Sequence, residues 1–323
     1  MIYVISSKNV YAAKRLASEA SIKNYELRIV DIADLAACDF QLMTLGRDVL
    51  YIRNPYLNGR PDYLPQIIKL AKNFKGRGGR VVDGNIANGD LGLGKWRDNQ
   101  KLKKAKLPIP KTRLLSGYPL HTTSYPLVLK WIYGMKAKGI FRINSQIPNS
   151  KFQNIIGRHP LSEWMRQEYI EADYEYKIIT VGYKALPVIL RFKFNKNLGG
   201  VDFNSFVIIP TERVLQSEWR DPLNLDTRYD KVDTRVKGSL DSSVALLTRD
   251  DKVNNLIKLA ERASKTLGRE LAKVDILEKE GRFYILEVNR FPGLKSFENL
   301  TGSNIFGSFV EYLAALQKSS NPL

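Results

Sequence analysis

The sequence predicts an α/β protein that begins with a parallel sheet and continues as mixed α+β structure. The first part alternates short β-branched runs with amphipathic segments, which is the pattern of a parallel sheet covered by helices. The later part contains many short strand-like runs separated by turns. A chain of 323 residues with 44% hydrophobic and 10% aromatic residues is too apolar to be a disordered basic tail. It can therefore bury one or more cores.

The first 94 residues are predicted to form a small α/β domain around a parallel sheet. The predicted strands cover 3–5, 27–30 and 49–52, a strand and turn cover 80–85, and helices cover 8–20 and 64–74. A further helix is predicted over 95–105. It must end before Pro108 and Pro110, because the residue before a proline is pushed out of the helical region.

The remainder is predicted to be richer in strands. Strands are expected at 125–130, 140–143, 168–170, 176–181, 186–193 and 205–209, a helix at 252–267, a hairpin from 272–277 and 282–288, and an amphipathic helix at 306–316. The apolar start, Met1 to Ser7, is too short for a signal peptide and is expected to be the first strand. No apolar run approaches the roughly 20 residues that span a bilayer, so we expect no membrane partner and a cytoplasmic location.

The charge of the chain is strongly unbalanced. Lys and Arg number 51 against 33 Asp and Glu, a net charge of +18. Such an excess suggests a polyanionic partner, either nucleic acid or an acidic protein or metabolite. The alternative is scattered solubilising charge, although eight basic residues do cluster between Lys95 and Arg113. The single cysteine, Cys38, excludes an intrachain disulfide and a multi-thiolate zinc site, and is expected to be a small core residue.

The late hairpin carries the most informative polar residues. Side chains alternate across a strand, so Glu287 and Asn289 should share one face, while Leu286 and Val288 share the other. Folding the hairpin brings Asp275 close to the polar pair. Two carboxylates and an amide oxygen suit Mg²⁺. The alternative is an amphipathic hairpin with a hydrated outer face.

Two weaker motifs precede this hairpin. Residues 130–139 place Lys130 at a strand end, followed by Gly134, Lys136 and Gly139, and such a hairpin could close over phosphates. It is not a P-loop, and an ordinary basic hairpin is the alternative. In the second motif, backbone groups of an edge strand at 168–170 could pair with a planar base, and a following acidic residue, Glu175, could accept bonds from ribose hydroxyls.

In this order the motifs resemble the ATP-grasp superfamily, and within it the RimK-like carboxylate-amine ligases. The resemblance covers nearly the whole chain and is most specific over 274–277 and 286–294. It implies an ATP-grasp fold, with a parallel N-terminal domain (1–94) followed by two α+β subdomains (95–172 and 173–323) that clamp ATP between them.

The resemblance also implies roles for individual residues. The implied nucleotide-binding residues are Lys95, Lys130, Gly134, Lys136, Gly139, Gln167, Glu168, Tyr169, Ile170 and Glu175, and the implied metal ligands are Asp275, Glu287 and Asn289. Lys177 and Arg191 resemble the basic residues that meet phosphate and acylphosphate, and with Asn289 they form the implied catalytic set. Where the family loop has a serine and a middle glycine, this chain has Met135 and Ala137, which should stiffen the loop and remove one phosphate contact.

The implied activity is ATP-dependent amide formation through an acylphosphate, with ATP and Mg²⁺ or Mn²⁺ as cofactors. The partners would be an amino-acid amine, such as that of glutamate, and a carboxylate on a peptide, protein or small molecule, including an acidic protein tail. Similar enzymes are often oligomers. Two alternatives stay open: an ATP-grasp kinase of a polyol phosphate, and a noncatalytic basic nucleic-acid-binding protein. The latter is disfavoured because aromatic residues are not interleaved with the basic run, as stacking platforms require.

Overall fold

A computed structural model gives the fold of the chain. It describes residues 1–32, 34, 47–53, 64–90, 94–117, 125–134, 139–195, 200–210, 251–290 and 292–319. Cys38, Met135, Lys136 and Ala137 lie outside the described residues, so the expectations for these four residues stay predictions. The strands form three sheets, and the third sheet carries the hairpin that was predicted to bind metal.

The first sheet is parallel, as the alternating pattern predicts. Its strands are β1 (Ile2–Ser6), β2 (Leu27–Asp31), β3 (Val49–Ile52) and β4 (Arg80–Val81), in the order β2-β1-β3-β4. Helix α1 (Tyr11–Ile22) packs with residues of one face, and α2 (Leu64–Gly76) with those of the other. Helix α1 begins three residues later than predicted, because the Lys8 amide donates to the Asp31 carboxylate at the end of β2 (3.1 Å). A 3₁₀ helix, Gly84–Asn88, follows β4.

The second sheet is antiparallel and lies between residues 112 and 168. Its strands are β5 (Thr112–Leu114), β6 (Leu127–Trp131), β7 (Ile140–Ile143) and β8 (Trp164–Glu168), in the order β5-β8-β6-β7. Helix α3 (Lys95–Lys104) precedes it, α4 (Asn149–Ile156) covers it, and a 3₁₀ turn spans Leu161–Glu163.

The strand predicted at 168–170 is wrong in position. Glu168 is the last residue of β8, because it pairs with Leu127, the first residue of β6, and Gln167 pairs with Thr112, the first of β5. Neither neighbouring strand extends further, so Tyr169 and Ile170 follow the strand. Helix α4 has no counterpart among the sequence predictions.

The third sheet is antiparallel and forms the middle layer of the molecule. Its strands are β9 (Tyr174–Val181), β10 (Lys184–Asn195), β11 (Gly200–Pro210), β12 (Leu271–Lys279) and β13 (Arg282–Asn289), in the order β11-β10-β9-β12-β13. Helix α5 (Asp251–Thr266) packs on one face with Leu102 of α3. The other face meets the N-terminal sheet and the C-terminal helix α7 (Ile305–Ser319), which follows the short α6 (Lys295–Thr301).

A β-bulge in the hairpin changes one prediction. Asp275 pairs with Glu287, but Ile276 pairs with Ile285, so Leu286 is an extra residue on β13. Ile285 and Val288 consequently pack toward α5, while Leu286 packs with the cluster around Ile170 on the other face. The expectation that Leu286 and Val288 share a face is therefore wrong, because strict alternation holds only in a strand without a bulge.

The boundaries 1–94, 95–172 and 173–323 stay a prediction. The described sheets fall at 2–81, 112–168 and 174–289, while α7 returns to pack on the first of them. Within the described residues, no helix is both long enough and apolar enough to cross a membrane.

Candidate nucleotide and metal site

The hairpin β12–β13 brings together the three residues predicted as metal ligands. Asp275 and Glu287 are direct cross-strand partners. The Asn289 amide Nδ2 donates to Glu287 Oε1 (2.9 Å) and to Asp275 Oδ2 (3.2 Å). Asp275 is 3% exposed, while Glu287 and Asn289 are partly buried. We call Asp275, Glu287 and Asn289 the oxygen cluster.

Two lysines face the oxygen cluster from the same sheet. Lys177 Nζ lies 3.7 Å from Asp275 Oδ1 and donates to the Glu175 carboxylate. Lys273 Nζ lies 3.2 Å from Asp275 Oδ2. Sequence reasoning missed Lys273, although its place two residues before Asp275 on one strand puts both on the same face.

Burial and charge act in opposite directions on these groups. Burial raises the pKa of Asp275 to about 7, although Lys177 and Lys273 oppose the rise. Burial would also raise the pKa of Glu287, but hydrogen bonds with Asn289 and Asp275, together with the Lys130 charge, hold it below its ordinary value. For Lys177 burial favours the neutral form, yet the carboxylates of Asp275 and Glu175 keep its pKa above the ordinary value. Burial therefore favours the protonated form of Asp275, whereas the neighbouring hydrogen bonds and lysines keep Glu287 ionised.

A pocket lies beside the oxygen cluster, and the two lysines predicted to bind nucleotide line it. Lys95 comes from the start of α3 and Lys130 from β6, and Leu286 and Glu287 of β13 form the opposite wall. Burial lowers the pKa of Lys95, and it lowers that of Lys130 to about 8, although the charge of Glu287 opposes both changes. Two lysines that line one cavity and whose ammonium groups are desolvated by burial form a candidate site for an anion such as a phosphate.

The predicted phosphate-closing hairpin is described only at its two ends. Lys95 Nζ donates to the Gly134 carbonyl, which ties α3 to the end of β6. Gly139 has a φ of +72°, and a Cβ there would lie 2.7 Å from Trp131 Cβ. The Trp131 amide donates to the Gly139 carbonyl (2.8 Å), so only glycine fits where the hairpin rejoins β7.

The predicted adenine-binding segment adjoins the pocket through Leu286. The Gln167 side chain is buried and donates to Thr112 Oγ1 (3.0 Å), and the exposed Glu168 carboxylate accepts from the Lys111 amide (3.3 Å). Tyr169 and Ile170 pack with Leu286 in one small apolar cluster. The bulge that turns Leu286 to this side thus connects the segment to the oxygen cluster.

Arg191 is not brought to the site. It pairs with Tyr176 across β9 and β10, and its guanidinium carbon Cζ lies 4.8 Å from the centroid of the Tyr174 ring. Tyr174 and Tyr176 pack on the α5 side of the sheet, whereas Lys177 projects to the side of Asp275. The structure therefore does not bring Arg191 together with Lys177, because the two residues occupy opposite faces of the sheet, and the implied catalytic role of Arg191 stays a prediction.

The oxygen cluster fits a hard divalent cation such as Mg²⁺. Asp275 Oδ1 is buried and has no hydrogen-bond partner among the described residues. Carboxylate and amide oxygens are the donors that Mg²⁺ prefers. No group of three or more His, Cys, Asp or Glu side chains that could hold a metal forms in the described part of the chain, so the candidate set is this one of two carboxylates and an amide.

Comparisons with known proteins agree with this geometry. The family model of the RimK-like ATP-grasp domain matches residues 244–313, which contain the whole hairpin. The chain is 24% identical to a protein named probable alpha-L-glutamate ligase from Haemophilus influenzae strain 86-028NP, over 97% of this chain and 96% of that protein.

Solved structures with the same fold include an ATP-grasp ligase called PsnB, complexed with a minimal precursor, Mg and ADP. It is 13% identical, with a TM-score of 0.65, and the match covers 98% of both chains. D-alanine–D-alanine ligase from Bacillus anthracis matches with a TM-score of 0.54 at 14% identity over 99% of both chains. The predicted fold and the resemblance are thus confirmed: the chain has the ATP-grasp fold, and its residues 244–313 are similar to the RimK-like ATP-grasp domain.

Proposed function

We propose that the chain is an ATP-dependent carboxylate-amine ligase that forms an amide through an acylphosphate. The observation that carries the proposal is the buried oxygen cluster set beside a pocket lined by Lys95 and Lys130. An anionic metal site next to two desolvated cations is what transfer of a phosphoryl group to a carboxylate needs, because both reactants are anions.

The proposed reaction has two steps. The substrate carboxylate attacks the terminal phosphorus of ATP, which gives an acylphosphate and ADP. The amine then attacks the acyl carbon, phosphate leaves with the electron pair of the C–O bond, and the nitrogen loses its proton to solvent. No covalent bond to the enzyme is required, so the chain needs no nucleophilic side chain.

The chain's own residues would bind and orient the reactants. Lys95 and Lys130 would neutralise phosphate oxygens, Lys177 would neutralise the acylphosphate, and 167–170 with Glu175 would hold the nucleoside. Asp275, Glu287 and the Asn289 side-chain oxygen would hold Mg²⁺, which when bound neutralises charge on the phosphates. Because Asn289 now turns Nδ2 toward both carboxylates, its amide must rotate by half a turn to offer Oδ1.

The substrates are proposed from the relatives. A relative matched along nearly its whole length is named probable alpha-L-glutamate ligase, and PsnB was solved with a precursor peptide. We therefore propose that this chain joins an amino acid such as glutamate to a carboxylate or amine on a peptide, protein or small molecule. The net charge of +18 supports an acidic acceptor.

Hydroxylamine trapping tests the proposal against the two alternatives. The protein is incubated with Mg-ATP and a panel of amino acids and acidic peptides, and ADP, phosphate, hydroxamate and amide products are measured. A ligase forms a hydroxamate from its carboxylate substrate, since hydroxylamine intercepts an acylphosphate. A stable phosphorylated alcohol without hydroxamate would instead identify a kinase. Salt-sensitive nucleic-acid binding without ATP turnover would identify a basic binding protein.

A further inference from the structure

Three polar side chains project from the carboxyl-terminal edge of the N-terminal sheet and have no assigned role. Val4 pairs with Tyr51 between β1 and β3, so alternation places Ser6, Tyr51 and Arg53 on the same face. The Arg53 amide donates to the Ile5 carbonyl (3.0 Å), which holds Arg53 beside the end of β1. This face packs against the third sheet. The Tyr51 ring packs edge-on against the ring of Phe309 in α7, with their centroids 4.7 Å apart.

A fourth side chain reaches this region from the oxygen cluster. Arg290 directly follows Asn289, is 4% exposed, and donates through Nη1 to the Asp90 carbonyl. Arg53 Nη2 donates to the carbonyl of Pro292, two residues further along the same segment (3.0 Å). Burial raises the pKa of Tyr51, and the charges of Arg53 and Arg290 oppose the rise. We call Ser6, Tyr51, Arg53 and Arg290 the donor cluster.

The donor cluster is short of acceptors. Five of the ten buried side-chain nitrogen and oxygen atoms that lack a hydrogen-bond partner in the described part of the chain belong to these four residues. They are Ser6 Oγ, Tyr51 Oη, Arg53 Nε, and Nε and Nη2 of Arg290. Buried polar atoms are nearly always paired, so this concentration points to an absent acceptor. All five atoms can donate, and only the two hydroxyls can also accept.

The charges indicate what the acceptor is. Asp83 Oδ2 lies 2.9 Å from Arg290 Nε, although out of line with the N–H bond, and offsets one of the two guanidinium charges. Arg53 forms no ion pair with a carboxylate within the described residues. One positive charge is therefore left over, together with Nη2 of Arg290, Nε of Arg53 and the two hydroxyls. A carboxylate supplies one negative charge and two oxygens with about four acceptor sites, so it can accept from several of these donors at once.

We infer that the donor cluster binds a carboxylate of the amino-acid substrate that is not itself activated, namely its α-carboxylate. This inference rests on the proposed ligase function. The cluster lies where open parallel sheets bind ligands, outside the carboxyl ends of the strands. Arg290 directly follows Asn289 in the chain, so consecutive residues join the donor cluster to the oxygen cluster.

Binding to the whole protein tests the inference without requiring turnover. Thermal unfolding is followed with a panel of L-amino acids, their α-amides, and inorganic phosphate, each with and without Mg-ATP. We expect at least one amino acid to raise the unfolding temperature and its α-amide not to do so. The inference is overturned if no amino acid binds, if an α-amide binds equally well, or if phosphate alone gives the same cluster-dependent shift.

Two tyrosines provide a matched pair of variants. Tyr51→Phe removes a hydroxyl that has no partner, so the free protein should keep its unfolding temperature while the amino acid binds at least tenfold more weakly. Tyr312→Phe removes a hydroxyl at the same interface that donates to Glu270, so the free protein should lose stability while amino-acid binding is unchanged. The reverse pattern would contradict the inference.

Arg53→Gln separates this inference from the proposed function. We expect the dissociation constant of the amino acid to rise at least tenfold, with no change in ATP binding. If the protein binds amino acids through Arg53 but never turns over ATP, the carboxylate site stands and the ligase proposal fails. If Arg53→Gln turns over ATP with an unchanged KM for the amino acid, the ligase proposal stands and the carboxylate site is refuted.

Discussion

Asp275 and Glu278 lie on the same strand, but their side chains project from opposite faces of the sheet. Asp275 lies at the candidate site, and Glu278 lies in the packed layer between the sheet and α5. Asp275 faces Glu287, Asn289 and the pocket. Glu278 faces α5, where it accepts a hydrogen bond from the Tyr176 hydroxyl (2.5 Å) and lies 2.7 Å from Lys252 Nζ. Both carboxylates are buried, but only Asp275 has an oxygen without a hydrogen-bond partner among the described residues.

Asp275→Asn should therefore abolish activity without unfolding the protein. We expect ATP turnover to fall at least about 100-fold, the size of effect seen when one electrostatic contact to a transition state is lost. Thermal stability without ligand should not fall, because a desolvated acid is replaced by a neutral group of the same shape. Glu278→Gln is the control: it should lower the unfolding temperature and keep turnover. Equal losses of turnover in both variants would argue against the site.

Asp83 links stability to pH. It is fully buried, and burial raises its pKa from 3.8 to about 6 against the charge of Arg290, the hydrogen bond from the Glu270 amide and the charge of Arg269, while the charge of Glu270 adds to the rise. A carboxyl whose pKa is raised on folding binds its proton more tightly in the folded state. The free energy of unfolding contributed by Asp83 is thus greatest below about pH 4 and is lost as the pH rises through 6.

The asparagine in Asp83→Asn cannot titrate, so this variant should not lose unfolding free energy at this site as the pH rises. Between pH 4 and 7 the unfolding free energy of the unmodified protein should fall relative to that of Asp83→Asn by up to about 3 kcal/mol, which corresponds to a pKa difference of about 2. Urea unfolding at several pH values measures the difference. A constant gap between the two proteins would show that Asp83 does not titrate in this range.

The residues of the oxygen cluster could be predicted from sequence, whereas Arg191 could not be placed. Asp275, Glu287 and Asn289 need only a hairpin and its turn. The faces of Lys177 and Arg191 depend on how β9 pairs with β10, and that pairing shifts between Ala185 and Ile189. Between these two residues the register moves by two positions, which keeps the alternation, so the faces follow from the register of the two strands as a whole, and nothing in the local sequence marks that register.

At the scale of elements, the hairpin β12–β13 was predicted well, and its bulge was not. An extra residue at Leu286 leaves Glu287 opposite Asp275 while turning Leu286 toward Ile170. The bulge thus lets one strand supply both a candidate metal ligand and an apolar wall to the same pocket. Because a bulge needs no glycine, the run 284–289 gives no sign of it.

The hairpin β6–β7 should be sensitive at Gly139. An alanine there would take a left-handed φ and place its Cβ 2.7 Å from Trp131 Cβ. Gly302 has a similar φ of +68° at the end of α6, with nothing within 4 Å of its Cβ position, and is the matched control. Gly302→Ala should cost only the backbone penalty of about 1–2 kcal/mol. Gly139→Ala should lower the free energy of unfolding by more than this. It should also raise the KM for ATP, because the alanine would displace Trp131, the neighbour of Lys130 in the chain. Equal effects in unfolding and kinetic measurements would exclude a role for the Trp131 contact.

At the scale of the whole molecule, the basic residues between 95 and 113 have different environments: the pocket, an ion pair or solvent. Lys95 lines the pocket, and Lys101 pairs with Asp90. Lys103, Lys104 and Lys106 are exposed. Part of the charge that is contiguous in sequence therefore lines the pocket or is paired with a carboxylate, and the rest stays on the surface.

The C-terminal helix makes the predicted N-terminal domain dependent on the end of the chain. One core joins Val4, Tyr51 and Leu16 of the first 94 residues to Phe306 and Phe309 of α7. Polar contacts reinforce it: Tyr11 donates to Glu298 (3.1 Å), and Lys23 Nζ lies 2.6 Å from Glu311. This association joins residues nearly 300 positions apart, and no local sequence pattern predicts it.

A fragment of residues 1–94 should consequently not fold alone. Without α7 and the third sheet, Tyr51 and the apolar face of α1 would be exposed, and a domain of this size has little buried area to lose. We expect the isolated fragment to show no cooperative thermal transition and poorly dispersed NMR spectra. Adding residues 251–323 in trans should not restore the fold, since β9 and β10 complete the same core. In the full chain, by contrast, the backbone amides of the N-terminal sheet and of α7 should lose their protection from hydrogen exchange together as the protein unfolds. A fragment with cooperative unfolding would show that the boundary at residue 94 separates independent domains.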